Sequence, residues 1–406
     1  MGAYTASQIF RYYERRLGID RCRIRKFAFV AGTFKNIRRR VWLILNTLVV
    51  LWMLVGVLCL QVPPSTFWPA GFVAFSLPGA LVLNFLFLLY WVLRRSWLLV
   101  LPLSAFMLAW SYYARLVTIN FGEEVPEGAK TLQVMSYNVH VFNAYDKIVE
   151  GVPQVSTDMI DWVAEHPADV FCLQEFYSRV NSLEYNNFNR IGTRYGKYKY
   201  VSTLETDKVK ANLGVVIFSK YPILIGGTIH FNNSYRQSAN RAAWADINVK
   251  GDTVRVYAVH LQSMSIKSED IENTYSAIGD EASFKKESRN LARRLRSGFI
   301  SRAAQVQQLL EHVQASPYPV IVCGDFNDIP FSYTYNELAK ALQNAHEKAG
   351  NGVGATYNGP LPFLRIDNQF YSQGLEAYNF QTHYEMGLSD HFPISATYVL
   401  QPKATE

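Results

Sequence analysis

With 406 residues the chain has room for one large domain and a second region beside it. Its formal charge of +7 is unevenly spread: residues 1–40 hold a net +9 and residues 41–119 a net +3, which leaves −5 for residues 120–406. That distribution excludes a global basic field for gripping nucleic acid, while a local basic groove stays open. The four cysteines, Cys22, Cys59, Cys172 and Cys323, show neither metal-ligand spacing nor a disulfide framework. Cys172 and Cys323 fall in expected core strands and read as buried free thiols.

In chain order, an arginine-rich tail over 1–40 comes first and reads as cytoplasmic. Three uncharged apolar runs follow, Val41 to Val62, Phe67 to Leu93 and Ser96 to Ala114. Each is close to the roughly 20 residues a bilayer core demands, so three transmembrane helices over 41–119 are expected. The link Pro63-Pro64-Ser65-Thr66 carries no positive charge and suits the outside; Arg94 and Arg95 suit the inside. Glu123, Glu124 and Glu127 after the third run suit the outside again. The chain beyond residue 120 is thereby expected to be extracytoplasmic on a multi-pass cell-membrane protein. Arg115 dissents, as a residue snorkelling to the outer interface. Residues 120–130 read as a polar linker.

From 131 on, strands are expected near Leu132–Tyr137, Asp169–Leu173, Tyr198–Thr203 and Leu213–Phe218. A hairpin follows over Arg241–Val249 and Thr253–His260 about a Lys250-Gly251-Asp252 turn. A helix is expected from Thr157, as N-cap, to Glu165. Ser265–Gly298 reads as helix or mobile insertion, and Ile300–Gln314 has helical spacing. The pivotal stretch is Val320 to Asp328: a β-branched strand, Gly324 ending it, then Asp325 and Asn327 two apart and so facing one way. Later strands are expected near Leu364–Tyr371, Leu375–Thr382 and Phe392–Leu400. About a dozen strands and a few helices make an α/β mixture of two sheets with helices outside.

Several strands end in a residue with metal-ligand or acid/base chemistry: Asn138, Glu175, His260, Asp325, Asp367 and Asp390. One such end means little; six imply a rim lined with chemistry. Glu175 beside Asn138 offers hard oxygen ligands of the kind magnesium prefers, and no Cys/His spacing supports zinc. His260 and His391 suit proton or hydrogen-bond donation to a phosphate oxygen, with Asp367 either fixing the His391 tautomer or forming a surface ion pair. Asp325 suits orienting or deprotonating a water, with Asn327 holding it or the phosphate. Asn212 and Arg241 read equally as phosphate-binding or structural. His140, His230, His383, His166 and His312 read as surface or satisfied structural residues.

These residues, in this order, resemble the endonuclease/exonuclease/phosphatase superfamily, the group of deoxyribonuclease I. The likeness rests on Met-Ser-Tyr-Asn-Val-His (135–140), Leu-Gln-Glu (173–175), Ser-Lys-Tyr-Pro-Ile (219–223), His-Leu-Gln-Ser (260–263), Gly-Asp-Phe-Asn (324–327), Arg-Ile-Asp (365–367) and Ser-Asp-His (389–391). It spans about 131–400 and omits the apolar runs. The resemblance implies a four-layer α/β sandwich and Mg²⁺- or Mn²⁺-dependent phosphoester hydrolysis. By position it implies Asn138 and Glu175 at the metal, Asp390 assisting the metal or His391, Asp325 and Asn327 handling the water and the phosphate, Asp367 paired with the catalytic His391, and His260 as the first catalytic histidine. Asn368-Gln369 departs from the aromatic and apolar pair many relatives place there.

The expected function is a membrane-anchored metal-dependent phosphohydrolase, a phosphodiesterase acting on a lipid or small phosphoester. Two alternatives stand. One is an extracytoplasmic nuclease using Arg179, Arg190, Arg194, Lys197 and Lys199 as a groove. The other is a catalytically silent membrane-tethered module.

Overall fold

The computed structural model describes residues 21–144, 154–193, 198–206, 211–231, 240–264, 270, 272–273, 276–277 and 279–401. The tail to residue 20, Arg194 and Lys197 lie outside them. The chain divides into two compact units, one of residues 1–54 with 79–108 and one of 55–78 with 109–406.

In the first unit, α1 (Arg21–Cys59) runs into α3 (Leu77–Leu93) and α4 (Val100–Leu108), while α2 (Pro69–Phe75) belongs to the second unit. Trp42 packs on Phe87 and Tyr90, and Trp91 Nε1 donates to Asn46 Oδ1 at 3.0 Å, so a polar pair ties two otherwise apolar helices. Ile37–Cys59, with mean hydropathy 2.4, is long and apolar enough to cross a bilayer. The other two apolar runs are each broken helices, interrupted at Ser76 and at Ala109 before α5 (Trp110–Leu116).

The second unit holds twelve strands among the described residues: β1 (Thr131–Asn138), β2 (Val170–Arg179), β3 (Tyr198–Thr206), β4 (Ala211–Ser219), β5 (Ile223–His230), β6 (Arg241–Val249), β7 (Asp252–His260), β8 (Val320–Asp325), β9 (Gln343–Asn344), β10 (Asp367–Tyr371), β11 (Leu375–Thr382) and β12 (Ile394–Leu400). They form two six-stranded mixed sheets, ordered β11-β12-β1-β2-β4-β3 and β5-β6-β7-β8-β10-β9. Each is mostly antiparallel with one parallel pair at its centre, β1–β2 in one and β7–β8 in the other. Those four strands carry near-continuous apolar runs because both faces are covered.

Three apolar layers result. Val134, Cys172, Ile217, Ala258, Ile321 and Cys323 fill the space between the sheets. Met159, Ile160 and Val163 of α6 (Gln154–Glu165) cover the outer face of the first sheet. Val306, Leu309 and Val313 of α7 (Glu281–Gln314), with Tyr335 and Leu338 of α8 (Tyr333–Ala341), cover the second. Fully burying one such side chain stabilises by about 1.5–3 kcal/mol. Cys172 and Cys323 are buried and free. The fold is an α/β sandwich of two mixed sheets flanked by helices.

Several expectations need correction. Helix α6 begins before Thr157, which lies inside it. Glu281 to Gln314 is one 34-residue helix, capped by Asp280, whose side chain accepts from Ala282 N at 3.1 Å. Strand β5, with Gly226-Gly227 at its middle, was not expected. Both glycines are demanded by packing: a Cβ at 226 would meet Tyr200 at 2.4 Å, and one at 227 would meet Trp244 at 2.6 Å. Gln369, the departure from the family pattern, is fully employed. Its Nε2 donates across the sandwich to Val134 O (3.2 Å) and Ile394 O (3.1 Å), and Tyr398 OH donates to its Oε1 at 2.8 Å.

Candidate active site

The site grows from the end of β8. Gly324 does not end the strand, which runs on to Asp325. Its φ is +150°, and a Cβ there would lie 2.0 Å from Val259 O, so glycine is what lets β7 and β8 pair this closely. Asp325 and Asn327 meet through a turn and not by strand alternation. Asn327 sits in the left-handed region (φ +52°) and folds back. Its backbone N–H donates to Asp325 Oδ1 at 2.8 Å, and its Nδ2 donates to Asp325 Oδ2 at 3.0 Å and to Leu261 O at 3.1 Å.

The first sheet contributes Asn138 and Glu175 from the parallel pair β1 and β2. Glu175 lies in a bulge where the β2–β4 register shifts between Leu173 and Phe176, with φ +51°. A bulge re-aims a side chain that regular alternation would send elsewhere. Asn138 Nδ2 lies 3.0 Å from Asp325 Oδ2 and 3.4 Å from Glu175 Oε1, so one amide is shared by two carboxylates from opposite sheets.

Two histidines approach the same carboxylate. His260, at the end of β7 in register with Asp325, brings Nε2 to 3.7 Å from Asp325 Oδ2 and 3.8 Å from Glu175 Oε1. Its buried Nδ1 has no hydrogen-bond partner among the described residues. His391 brings Nε2 to 3.8 Å from Asp325 Oδ2, while its Nδ1 is 2.8 Å from Asp367 Oδ2. Burial alone would make the His391 imidazolium harder to form. The Asp367 and Asp325 carboxylates outweigh it and raise its pKa to about 10, so this ring is cationic at neutral pH. Burial pushes the Asp325 carboxyl above its ordinary value, against the opposing charge of His391.

Seven residues thus converge: Asn138, Glu175, His260, Asp325, Asn327 and the His391–Asp367 pair, with Asp325 at the centre. Asp367 starts β10 and does not end a strand; β10 runs antiparallel to β8, which puts Asp367 opposite Asp325 on the same rim. Asp390 lies in the loop before β12, its Oδ1 3.4 Å from Nδ1 of His140, which is exposed as expected of a surface residue. Arg241 is buried and pairs in register with His260. Asn212 lies two residues from Gly214, the residue opposite Phe176 beside the Glu175 bulge. Of the basic groove residues, Arg190 is bound to Asp161 and to Glu184 O (3.1 Å), and Lys199 lies 5.8 Å from the Phe188 ring centre.

Sequence reasoning missed two contributors. Tyr357 stacks edge-on against His391, ring centres 5.7 Å apart, and no local pattern marks it. Asp328, next to the motif, forms a fully buried pair with Arg302 of α7 (Nε to Oδ2, 3.0 Å), and Arg302 Nη1 donates to Gln262 O at 2.9 Å. Arg302 therefore braces both site loops. A buried-face arginine in an amphipathic helix beside the Gly-Asp-Phe-Asn-Asp run was the available signal.

The donor chemistry suits a hard divalent cation. Glu175 and Asp325 crowd one amide and one imidazole, leaving negative charge that oxygen-liganded Mg²⁺ or Mn²⁺ would balance. Asp325, Asp367 and His391 also place ligand atoms within 4.8 Å of one another, but Asp367 is engaged by His391 Nδ1.

A family model described as Endonuclease/Exonuclease/phosphatase family matches residues 135–391, and a second, described as a domain of unknown function, matches residues 39–116. No curated protein matches. Solved structures similar to the chain include an endonuclease/exonuclease/phosphatase from Beutenbergia cavernae, with 18% identity, 67% of this chain and 72% of that chain covered, and TM-score 0.48. Another is the human Nocturnin catalytic domain, with 16% identity, coverage 67% and 96%, and TM-score 0.46. A third is TDP2 from Caenorhabditis elegans, with 17% identity, coverage 68% and 77%, and TM-score 0.42. With well over half of its length matched by the family model, and that family's motifs gathered on one rim, the chain belongs to the endonuclease/exonuclease/phosphatase family and is a phosphoric ester hydrolase.

Proposed function

We propose that the protein is a membrane-anchored, divalent-metal-dependent phosphodiesterase whose substrate is a lipid phosphoester or a small phosphoester. The observation that carries the reading is the convergence of Glu175, Asn138 and both histidines on Asp325. Asp325, its carboxyl raised by burial, takes the proton of the attacking water, which Asn327 helps to hold. His391, kept cationic and oriented by Asp367, presents Nε2–H to a phosphoryl oxygen. His260 offers a second donor from the opposite side. Glu175 would hold the cation, with Asn138, whose Nδ2 bridges Glu175 and Asp325, positioning the carboxylates at the metal site; when bound, the cation supplies Lewis-acid charge at the phosphoryl group. Asp390, next to His391 in the chain and 3.4 Å from His140, would assist the metal or His391.

Membrane attachment rests on Ile37–Cys59 as one span, with the two broken apolar runs as a second and third. The arginine bias then puts the tail inside and residues from 120 on outside. The net −5 of that portion disfavours long duplex DNA against a lipid or small ester. The test is a substrate panel on the full chain in detergent, with and without chelator. Chelator-sensitive turnover of phospholipid or small diesters is expected. DNA cleaved far faster than either sinks the substrate class, and activity undiminished by chelator sinks metal dependence. A reporter fused after Glu406 that proves cytoplasmic sinks the topology.

A further inference from the structure

Within the first unit, four guanidiniums line one cavity of about 320 Å³: Arg38 and Arg39 from α1, and Arg94 and Arg95 from the turn that ends α3. The turn is sharply defined. Arg95 takes a left-handed conformation (φ +47°), Ser96 N donates to Trp91 O at 3.1 Å, and the Ser96 hydroxyl accepts from Leu98 N at 3.3 Å. Helix α3 is held against α1 one turn away by the Trp91–Asn46 hydrogen bond and the Trp42–Tyr90 contact. The two arginine pairs, all four residues exposed, therefore line one cavity from two different segments.

What balances them is not in this part of the chain. No aspartate or glutamate occurs between Asp20 and Glu123. The C-terminal end of α3 offers the equivalent of about half a negative charge, far short of four positive ones. The cavity walls also include Tyr90, Trp91 and Trp97, amphipathic rings of the kind that sit at headgroup level in a bilayer. Guanidinium forks match phosphate oxygens two at a time.

We propose that this cavity binds the phosphate of an anionic phospholipid, a site separate from the hydrolytic one. The proposal rests on residues 37–116 being membrane-embedded, and on nothing in the catalytic rim. It predicts an annular lipid held by headgroup contacts on the arginine-rich side, with its acyl chains along the apolar faces of α1 and α3.

The test is native mass spectrometry of the full chain in detergent, titrated with dioleoyl phosphatidylglycerol or dioleoyl phosphatidylcholine. The expected result is one tightly held phosphatidylglycerol and markedly weaker phosphatidylcholine binding. Arg94→Gln with Arg95→Gln, in a turn outside the helices, is expected to weaken phosphatidylglycerol about 25-fold, roughly fivefold per charge removed. Helix content by circular dichroism should be unchanged. Arg94→Lys with Arg95→Lys keeps the charge and is expected to retain most of the preference. Equal binding of the two lipids overturns the site and leaves the membrane reading intact. Binding of neither lipid overturns both. Displacement of phosphatidylglycerol by excess inorganic phosphate overturns the lipid assignment in favour of a free anion.

Discussion

Two polar clusters join the sheets of the sandwich, and they are built in opposite ways. In the middle, Gln369 satisfies its amide with three hydrogen bonds of 2.8–3.2 Å to Val134, Ile394 and Tyr398. At the rim, Asn138, Glu175, His260, Asp325 and His391 approach one another at 3.0–3.8 Å, with Glu175 and the neighbouring Asn327 on left-handed backbone and one imidazole nitrogen unmet. The saturated cluster has no capacity left for a ligand. The loosely joined one has spare donors and acceptors all aimed at one small volume, at a cost in backbone strain of about 1–3 kcal/mol per left-handed residue. The difference separates a polar group kept for structure from one kept for chemistry.

The largest effect should come from the rim. Asp325→Asn is expected to lower kcat/KM about 10²–10⁴-fold on whatever phosphoester the panel identifies, with unfolding midpoint unchanged or higher, because a buried charge is removed. A destabilised protein of normal activity per folded molecule would place Asp325 in the structural class. Next is the brace between site and helix. Arg302→Met strands the buried Asp328 carboxylate and should cost about 3–5 kcal/mol in chemical denaturation, with Asp328→Asn restoring part of it. Gln369→Ala is the converse of Asp325→Asn. It leaves two carbonyls and a hydroxyl unmet, and about 2–4 kcal/mol of stability should be lost with activity per folded molecule intact.

A finer measurement addresses His391. Its pKa is raised, so activity that needs the cation is present at neutral pH and falls as pH rises toward about 10. Asp367→Asn removes the carboxylate that raises it, and the basic limb of the pH–rate profile should move down by about 1–3 units. A profile that does not move would leave Asp367 as a packing residue. The smallest change is gradual and lies outside both clusters. His346, beside Arg365, is held neutral by burial and by that charge, with its pKa lowered to about 2. Its folded-state pKa lies below the ordinary imidazole value, so its contribution to stability is complete above about pH 6.5 and is lost progressively as pH falls toward 2. His346→Gln should flatten the acid side of a stability–pH curve, if it folds.

Much of this was legible in the residues. Val320 to Val322 declares a buried strand, though not its run on to Asp325, and the order of Asn138, Glu175, His260, Asp325, Asp367 and His391 declares the family. What failed to show was the local geometry that makes the motifs work. The Glu175 bulge and the left-handed turn at Asn327 depend on partners far along the chain, so strand alternation misplaces both. Strand β5 was not seen because the rings that demand Gly226 and Gly227, Tyr200 and Trp244, lie on other strands. Gln369 read as a flaw because its acceptors sit on the opposite sheet.

The segment just after the third apolar run is stitched into the hydrolytic unit. Thr118 pairs with Gly352, its hydroxyl donates to Gly350 O at 3.0 Å, and Arg365 donates to Arg115 O at 2.8 Å. A shortened protein that starts at residue 131 would tear this seam, baring the Arg365 guanidinium and the Gly350–Gly354 loop. Anyone seeking a water-soluble enzyme from this chain would do better to cut upstream of Arg115 and mask the greasy remnant than to trim back to the first strand.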